Sequence, residues 1–382
     1  MSRLNQAVKL TTINLLVIAG ILFIPAVVFE AYKQIKLNSQ GKSAQESEPL
    51  KIYRNKQEKN EVEKMQNEAQ TAQPMAYMPF IGWRRPLSNQ KYNQIISPYN
   101  QRNSINHGLN QSSWFFGNST MWGTGTTENY TIPSQYSKIT GKSVANFGES
   151  AWTSRQSVNQ LLNVIGDGHQ PDEVIFYGGA GDILQNCRAE LGYVPSHAMG
   201  QKLAGMTSSG INYFILKDYI LPVIDFIVMP YKAIGGKLGI YKNTVSTSGS
   251  IMDCTTNQEK AKRVVDHLIA NWKAAYLISK ANGADFLAIL QPLAYTSDTP
   301  ISHLPNEDKL LKSQFDALYP AIIQAIANEC KNDKEFCSSF VDGSQWIQTK
   351  EPIFLDFSHI TGEGNSIVAQ QIAKALKQRS SD

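Results

Sequence analysis

Two short stretches carry side chains that could do covalent chemistry together. One is Trp114-Phe115-Phe116-Gly117-Asn118-Ser119-Thr120-Met121-Trp122-Gly123, and the other, far along the chain, is Asp356-Phe357-Ser358-His359. A serine hydroxyl is a poor nucleophile until a base takes its proton. An imidazole can be that base when a carboxylate holds its other ring nitrogen. Asp356 and His359 are three residues apart and can meet on one turn, which leaves the second nitrogen for Ser119. The chemistry implied is acyl transfer through an acyl-serine. Such spacing also arises by chance, so the bland reading is a loop aspartate and a structural histidine. The other five histidines (His107, His169, His197, His267 and His303) lack such company, and His267, in a helix-patterned stretch, reads as structural.

These residues need a frame that brings the two stretches together. The apolar run ending at Gly117 suits a buried parallel strand, with Ser119 where strand passes into helix. A hydroxyl there sits at the carboxyl edge of a parallel sheet, where open α/β folds place their sites. A helix over 132–139 follows, with Pro133 in its first turn. Next come a strand over 143–148, a helix over 153–165 and a strand over 173–179. Strands alternating with helices imply a parallel sheet and right-handed crossovers. Residues 187–253 break the rhythm; within them 211–230 is apolar but interrupted by Lys217, Asp218, Pro222 and Asp225. A lid or an apolar surface suits that stretch better than a second membrane span. A long helix over 257–281, a strand over 286–290, a helix over 306–328, a short strand at 340–341 and a closing helix over 367–376 complete the pattern.

The amino end follows different rules. After a tail at 1–9, residues 10–29 carry no charge and match the hydrocarbon thickness of a bilayer as a helix of about 20 residues. The expectation is an uncleaved transmembrane anchor over 10–30; a cleaved signal peptide is the alternative. Residues 31–75 are rich in Lys, Glu, Gln and Asn and read as a polar stalk or linker, leaving a folded domain at 76–382 with the 187–253 insertion. The net charge of +4, from 36 basic and 32 acidic residues, is too mild to argue for nucleic acid. The four cysteines, beyond a membrane segment, fit an oxidising compartment. Cys330 with Cys337, and Cys187 with Cys254, is the favoured of three pairings, against four free thiols. No His/Cys spacing suits a metal, and no cofactor is called for.

Four blocks of the chain in order, Phe116-Gly117-Asn118-Ser119-Thr120, Asn146-Phe147-Gly148-Glu149, Gly179-Ala180-Gly181-Asp182 and Asp356-Phe357-Ser358-His359, make it resemble the SGNH hydrolase superfamily, or GDSL-type esterases. The resemblance runs from about Tyr77 to Leu376. It implies a flavodoxin-like, three-layer α/β/α fold with a central parallel sheet, here preceded by one transmembrane helix. It also implies Ser119 as nucleophile, His359 as base and Asp356 as its orienter. The family's oxyanion donors carry over to the backbone N–H of Ser119 and of Gly148. The third, an asparagine side chain, falls on Gly181, which has none. Asn146 or Asn186 could supply a substitute amide, the site could run slowly on an activated ester, or the protein could only bind. The function expected is a membrane-anchored serine esterase, extracytoplasmic (periplasmic or cell-surface), deacylating or deacetylating a carbohydrate or other small ester. The alternatives are an O-acyltransferase for an extracytoplasmic glycan, working with a membrane acyltransferase partner, and a glycan-binding or assembly protein.

Overall fold

The computed structural model describes residues 14, 48–69, 75–189, 252–304 and 309–379. All but one residue of the anchor expected at 10–30 and nearly all of the 187–253 insertion lie outside the described residues, as does Asn306, the expected start of one helix. Among the described residues no helix is long and apolar enough to cross a membrane.

The elements, in chain order, begin with a 3-10 turn at Glu48–Ile52 and helix α1 (Lys56–Ala69). A hairpin of β1 (Ala76–Met78) and β2 (Gly82–Arg84) follows, then β3 (Ile95–Ile96) and β4 (Gln101–Arg102). The central run is β5 (Ser113–Gly117), α2 (Ser119–Trp122), α3 (Ile132–Thr140), β6 (Val144–Asn146), α4 (Ser154–Gly166), β7 (Glu173–Gly178) and α5 (Ala180–Asn186). The last part is α6 (Gln258–Ala281), β8 (Asp285–Leu290), α7 (Lys309–Glu329), α8 (Lys334–Ser338), β9 (Phe340–Asp342) and α9 (Gly362–Arg379).

Among the described residues seven strands form one sheet in the order β3-β4-β6-β5-β7-β8-β9. From β6 to β9 all neighbours are parallel, with Ser113 opposite both Val144 and Glu173, and Glu173 opposite Asp285. The edge pair β3–β4 is antiparallel and joins β6 in antiparallel sense, so the sheet is mostly rather than wholly parallel. Strands this short, with two residues each, carry too little pattern to be read from the sequence.

The central strands are apolar on both faces because helices cover both faces. Side chains alternate along each strand. Trp114, Phe116, Val174, Phe176, Phe286 and Ala288 join α4, α6 and α7 in one core. Phe115, Ile175, Tyr177, Leu287 and Ile289 join α3 and α9 in the other. The α/β/α layering expected from the resemblance is present. Both expected disulfides are present, Cys187–Cys254 and Cys330–Cys337.

One boundary is corrected. The polar stalk expected over 31–75 includes α1 and the turn before it, and these pack on the domain. Leu50, Ile52, Tyr53, Val62 and Met65 are buried, with Tyr92 and Leu355 packed against them. Asn55 Oδ1 accepts from the N–H of Gln57 and Glu58 at the start of α1. Glu58 accepts from the N–H of Gly362 at 2.7 Å, and Thr127 Oγ1 donates to Glu61 at 2.9 Å. Only one narrow stripe of α1 is apolar. Much of its docking is polar, so composition reads it as solvated.

Candidate active site

The nucleophile turn is shaped by a lack of space. A Cβ on Gly117 would lie 2.3 Å from the Tyr177 carbonyl oxygen and 2.9 Å from Met121 Cβ, so only glycine passes between β7 and α2. Asn118 then caps α2: its Oδ1 accepts from the Thr120 N–H at 3.0 Å. Short polar side chains favour this position because they satisfy an orphan helix donor. Gly123, at φ +94°, closes the single turn of α2 in the left-handed region.

Ser119, His359 and Asp356 meet at this turn. Ser119 Oγ lies 2.7 Å from His359 Nε2, and His359 Nδ1 lies 2.5 Å from Asp356 Oδ2. With the ring proton on Nδ1, donated to Asp356, Nε2 accepts the serine proton. This tautomer is assigned from the partners. Asp356 Oδ1 also accepts from the backbone N–H of Ser358 and of His359, each at 2.8 Å. Burial works against the carboxylate charge. The hydrogen bond and charge of His359 and these two N–H groups outweigh it and hold Asp356 below its ordinary value. It therefore stays ionised where an imidazolium must be stabilised.

The oxyanion region departs from the expectation in three ways. The Gly148 N–H donates to Asn146 Oδ1 at 3.0 Å, and a Cβ on Gly148 would meet the Trp122 nitrogen at 2.4 Å. Asn146 Nδ2 donates to the carbonyls of Met121 (3.1 Å) and Trp122 (3.3 Å). Asn146 is thus a brace between β6 and α2, which corrects the expectation that its amide could replace the missing donor. At Gly181 a Cβ would lie 2.2 Å from the Trp152 carbonyl oxygen, so the space for a side chain is taken by the loop that follows Gly148. Asn186 closes α5, five residues beyond Gly181. The Ser119 N–H, at the first position of a helix, has no intrahelical acceptor. Nearby, Asp182 is fully buried and accepts from the Ser154 N–H (3.0 Å) and Oγ (2.6 Å); burial pushes it up to about 6 despite those bonds.

Sequence reasoning missed Gln291. Its Oε1 accepts from Asn118 Nδ2 at 2.8 Å and its Nε2 donates to Thr120 Oγ1 at 3.4 Å, so one buried amide spans both neighbours of Ser119. Thr120 Oγ1 donates on to the Ser358 carbonyl at 3.3 Å, tying the nucleophile turn to the histidine loop. The signal was available: Gln291 follows β8 at the same sheet edge where Ser119 follows β5, Gly148 follows β6 and Gly181 follows β7. Among the described residues no group of His, Cys, Asp and Glu could hold a metal ion.

No protein-family model and no curated protein matches the chain. Solved structures of similar path include an acetyl xylan esterase from the rumen bacterium Butyrivibrio proteoclasticus, 10% identical, with a TM-score of 0.38 over 72% of this chain and 65% of that one. A GDSL-like lipase from Bacteroides thetaiotaomicron is 16% identical, with a TM-score of 0.33 over 70% and 89%. An extracellular lipase from Streptomyces rimosus is 11% identical, with a TM-score of 0.32 over 69% and 99%. At these values the likenesses carry no argument about chemistry, which rests on the residues of the site.

Proposed function

We propose that this chain is an SGNH-type serine esterase acting through an acyl-serine. The observation that supports the reading is the hydrogen-bonded relay from Ser119 through His359 to Asp356, at 2.7 and 2.5 Å. His359 takes the hydroxyl proton as Oγ attacks the ester carbonyl, and returns it to the leaving alcohol. Water, deprotonated by the same ring, then releases the acyl group. The substrate class proposed is a short acyl ester, an acetylated carbohydrate in particular. The protein is placed outside the cytoplasm, held by a membrane helix at 10–30. The uncharged run at 10–29 and the two disulfides support that location. Transfer to a sugar hydroxyl instead of water would use the same acyl-enzyme.

The test is hydrolysis of 4-nitrophenyl acetate and of acetylated oligosaccharides by the full-length chain. Ser119→Ala should lower kcat by about 10³-fold or more while the protein stays folded. Retention of full activity by that variant would remove the assignment.

A further inference from the structure

Arg84, at the end of β2, is fully buried. Its Nη2 donates to the Gly148 carbonyl at 3.3 Å, while Nε and Nη1 have no hydrogen-bond partner among the described residues. Glu149 acts on Arg84 through its charge, with no hydrogen bond between them. Glu149 is engaged by Arg85, through Nη1 and through the Arg85 backbone N–H at 3.0 Å. Burial lowers Arg84 to about 10, so it remains charged at neutral pH. A buried guanidinium with two unbonded nitrogens raises the free energy of the resting protein. A negative charge forming close by would lower it.

The same peptide is fixed at its other end. The Gly148 carbonyl and the Glu149 N–H belong to one peptide plane, and that N–H donates to the Gly117 carbonyl at 3.2 Å, two residues before the nucleophile. The guanidinium also lies over the Trp152 ring at 4.8 Å, and the Trp152 carbonyl is the atom that fills the side-chain space at Gly181. Indole N–H groups lace the two segments further: Trp152 donates to the Trp83 carbonyl and Trp83 to the Ser150 carbonyl, each at 3.0 Å.

We infer that Arg84 is a positioning residue of the oxyanion site. It sets the Gly148–Glu149 peptide against the nucleophile turn and places a buried positive charge behind Gly148, at a site where Gly181 lacks the side-chain donor. The inference rests on the esterase reading. Preorganised charge of this kind favours the tetrahedral state over the bound ester, so it raises kcat rather than lowering KM.

The experiment compares full-length wild type, Arg84→Met and Arg84→Lys on 4-nitrophenyl acetate, together with inhibition by an alkylboronic acid, whose serine adduct is tetrahedral and anionic. Arg84→Met should lower kcat by about 10–100-fold, less than the 10²–10³ of a direct donor. KM should stay within about twofold, and boronate affinity should fall in proportion to kcat. Arg84→Lys, which keeps the charge, should recover part of the loss. A folded Arg84→Met enzyme with wild-type kcat and boronate affinity would overturn the inference, as would a fall in kcat without loss of boronate affinity. Should Arg84→Met fail to fold, Arg84→Lys decides: a parallel, smaller fall in kcat and boronate affinity supports the role, and wild-type values of both overturn it. A wild type that neither hydrolyses the ester nor reacts with a fluorophosphonate at Ser119 contradicts the esterase reading itself, before any Arg84 variant is compared.

Discussion

Gly181 shows how one residue can carry both a departure from a motif and its explanation. The position that holds an asparagine in the resembling family has no room for a side chain here, because the Trp152 carbonyl would lie 2.2 Å from its Cβ. Restoring the motif should therefore fail. Gly181→Asn is expected to cost about 1–3 kcal/mol of stability through overpacking and to leave kcat no higher than wild type, as read by thermal unfolding and ester hydrolysis. A stable variant with a raised kcat would show that the loop can yield. Ser119, His359 and Asp356 were legible in the sequence because four blocks that resemble one family fall in order. Gln291 showed only in its place after a strand at the site's edge, and Arg84 not at all. An amide and a buried arginine have no chemical signature of their own, and what they do depends on which strand ends and loops become neighbours.

Helix α1 shows where reading by composition fails among elements. Its docking depends on Glu58, which sits against Gly362 at the start of α9, three residues after His359. Burial, with Glu363 and Glu61 nearby, pushes Glu58 up to about 7, although the Gly362 N–H and Lys138 act the other way. A carboxyl raised in the fold favours the folded state most when both states are protonated. That contribution is full below the unfolded value near 4.5 and is lost as pH rises to about 7. Glu58→Gln keeps an acceptor for the Gly362 N–H and removes the charge. Melting temperatures of the variant should fall less than those of wild type between about pH 4.5 and 7; an unchanged slope would contradict this account. Some slope remains in either case, because Asp182 is raised in the same sense. The long helices and central strands were legible from their spacing, since each buries a full face. The two-residue edge strands and a helix docked through its polar side chains leave no such pattern.

For the whole molecule, the disulfides link fold to compartment. Peptide mapping without reductant should find Cys187 joined to Cys254 and Cys330 to Cys337. In chain-entropy terms the first, closing 67 residues, is worth about 4 kcal/mol and the second, closing 7, about 2. Removing the first pair by serine substitution should thus lower the melting temperature more than removing the second. Free thiols in protein isolated from its native compartment would contradict an extracytoplasmic location. The most direct test of the central claim is mass spectrometry of the folded full-length chain after treatment with a serine-directed fluorophosphonate. The triad geometry predicts a single adduct on Ser119 that disappears in His359→Ala. A folded chain left unlabelled at Ser119, or labelled there equally well without His359, would contradict it.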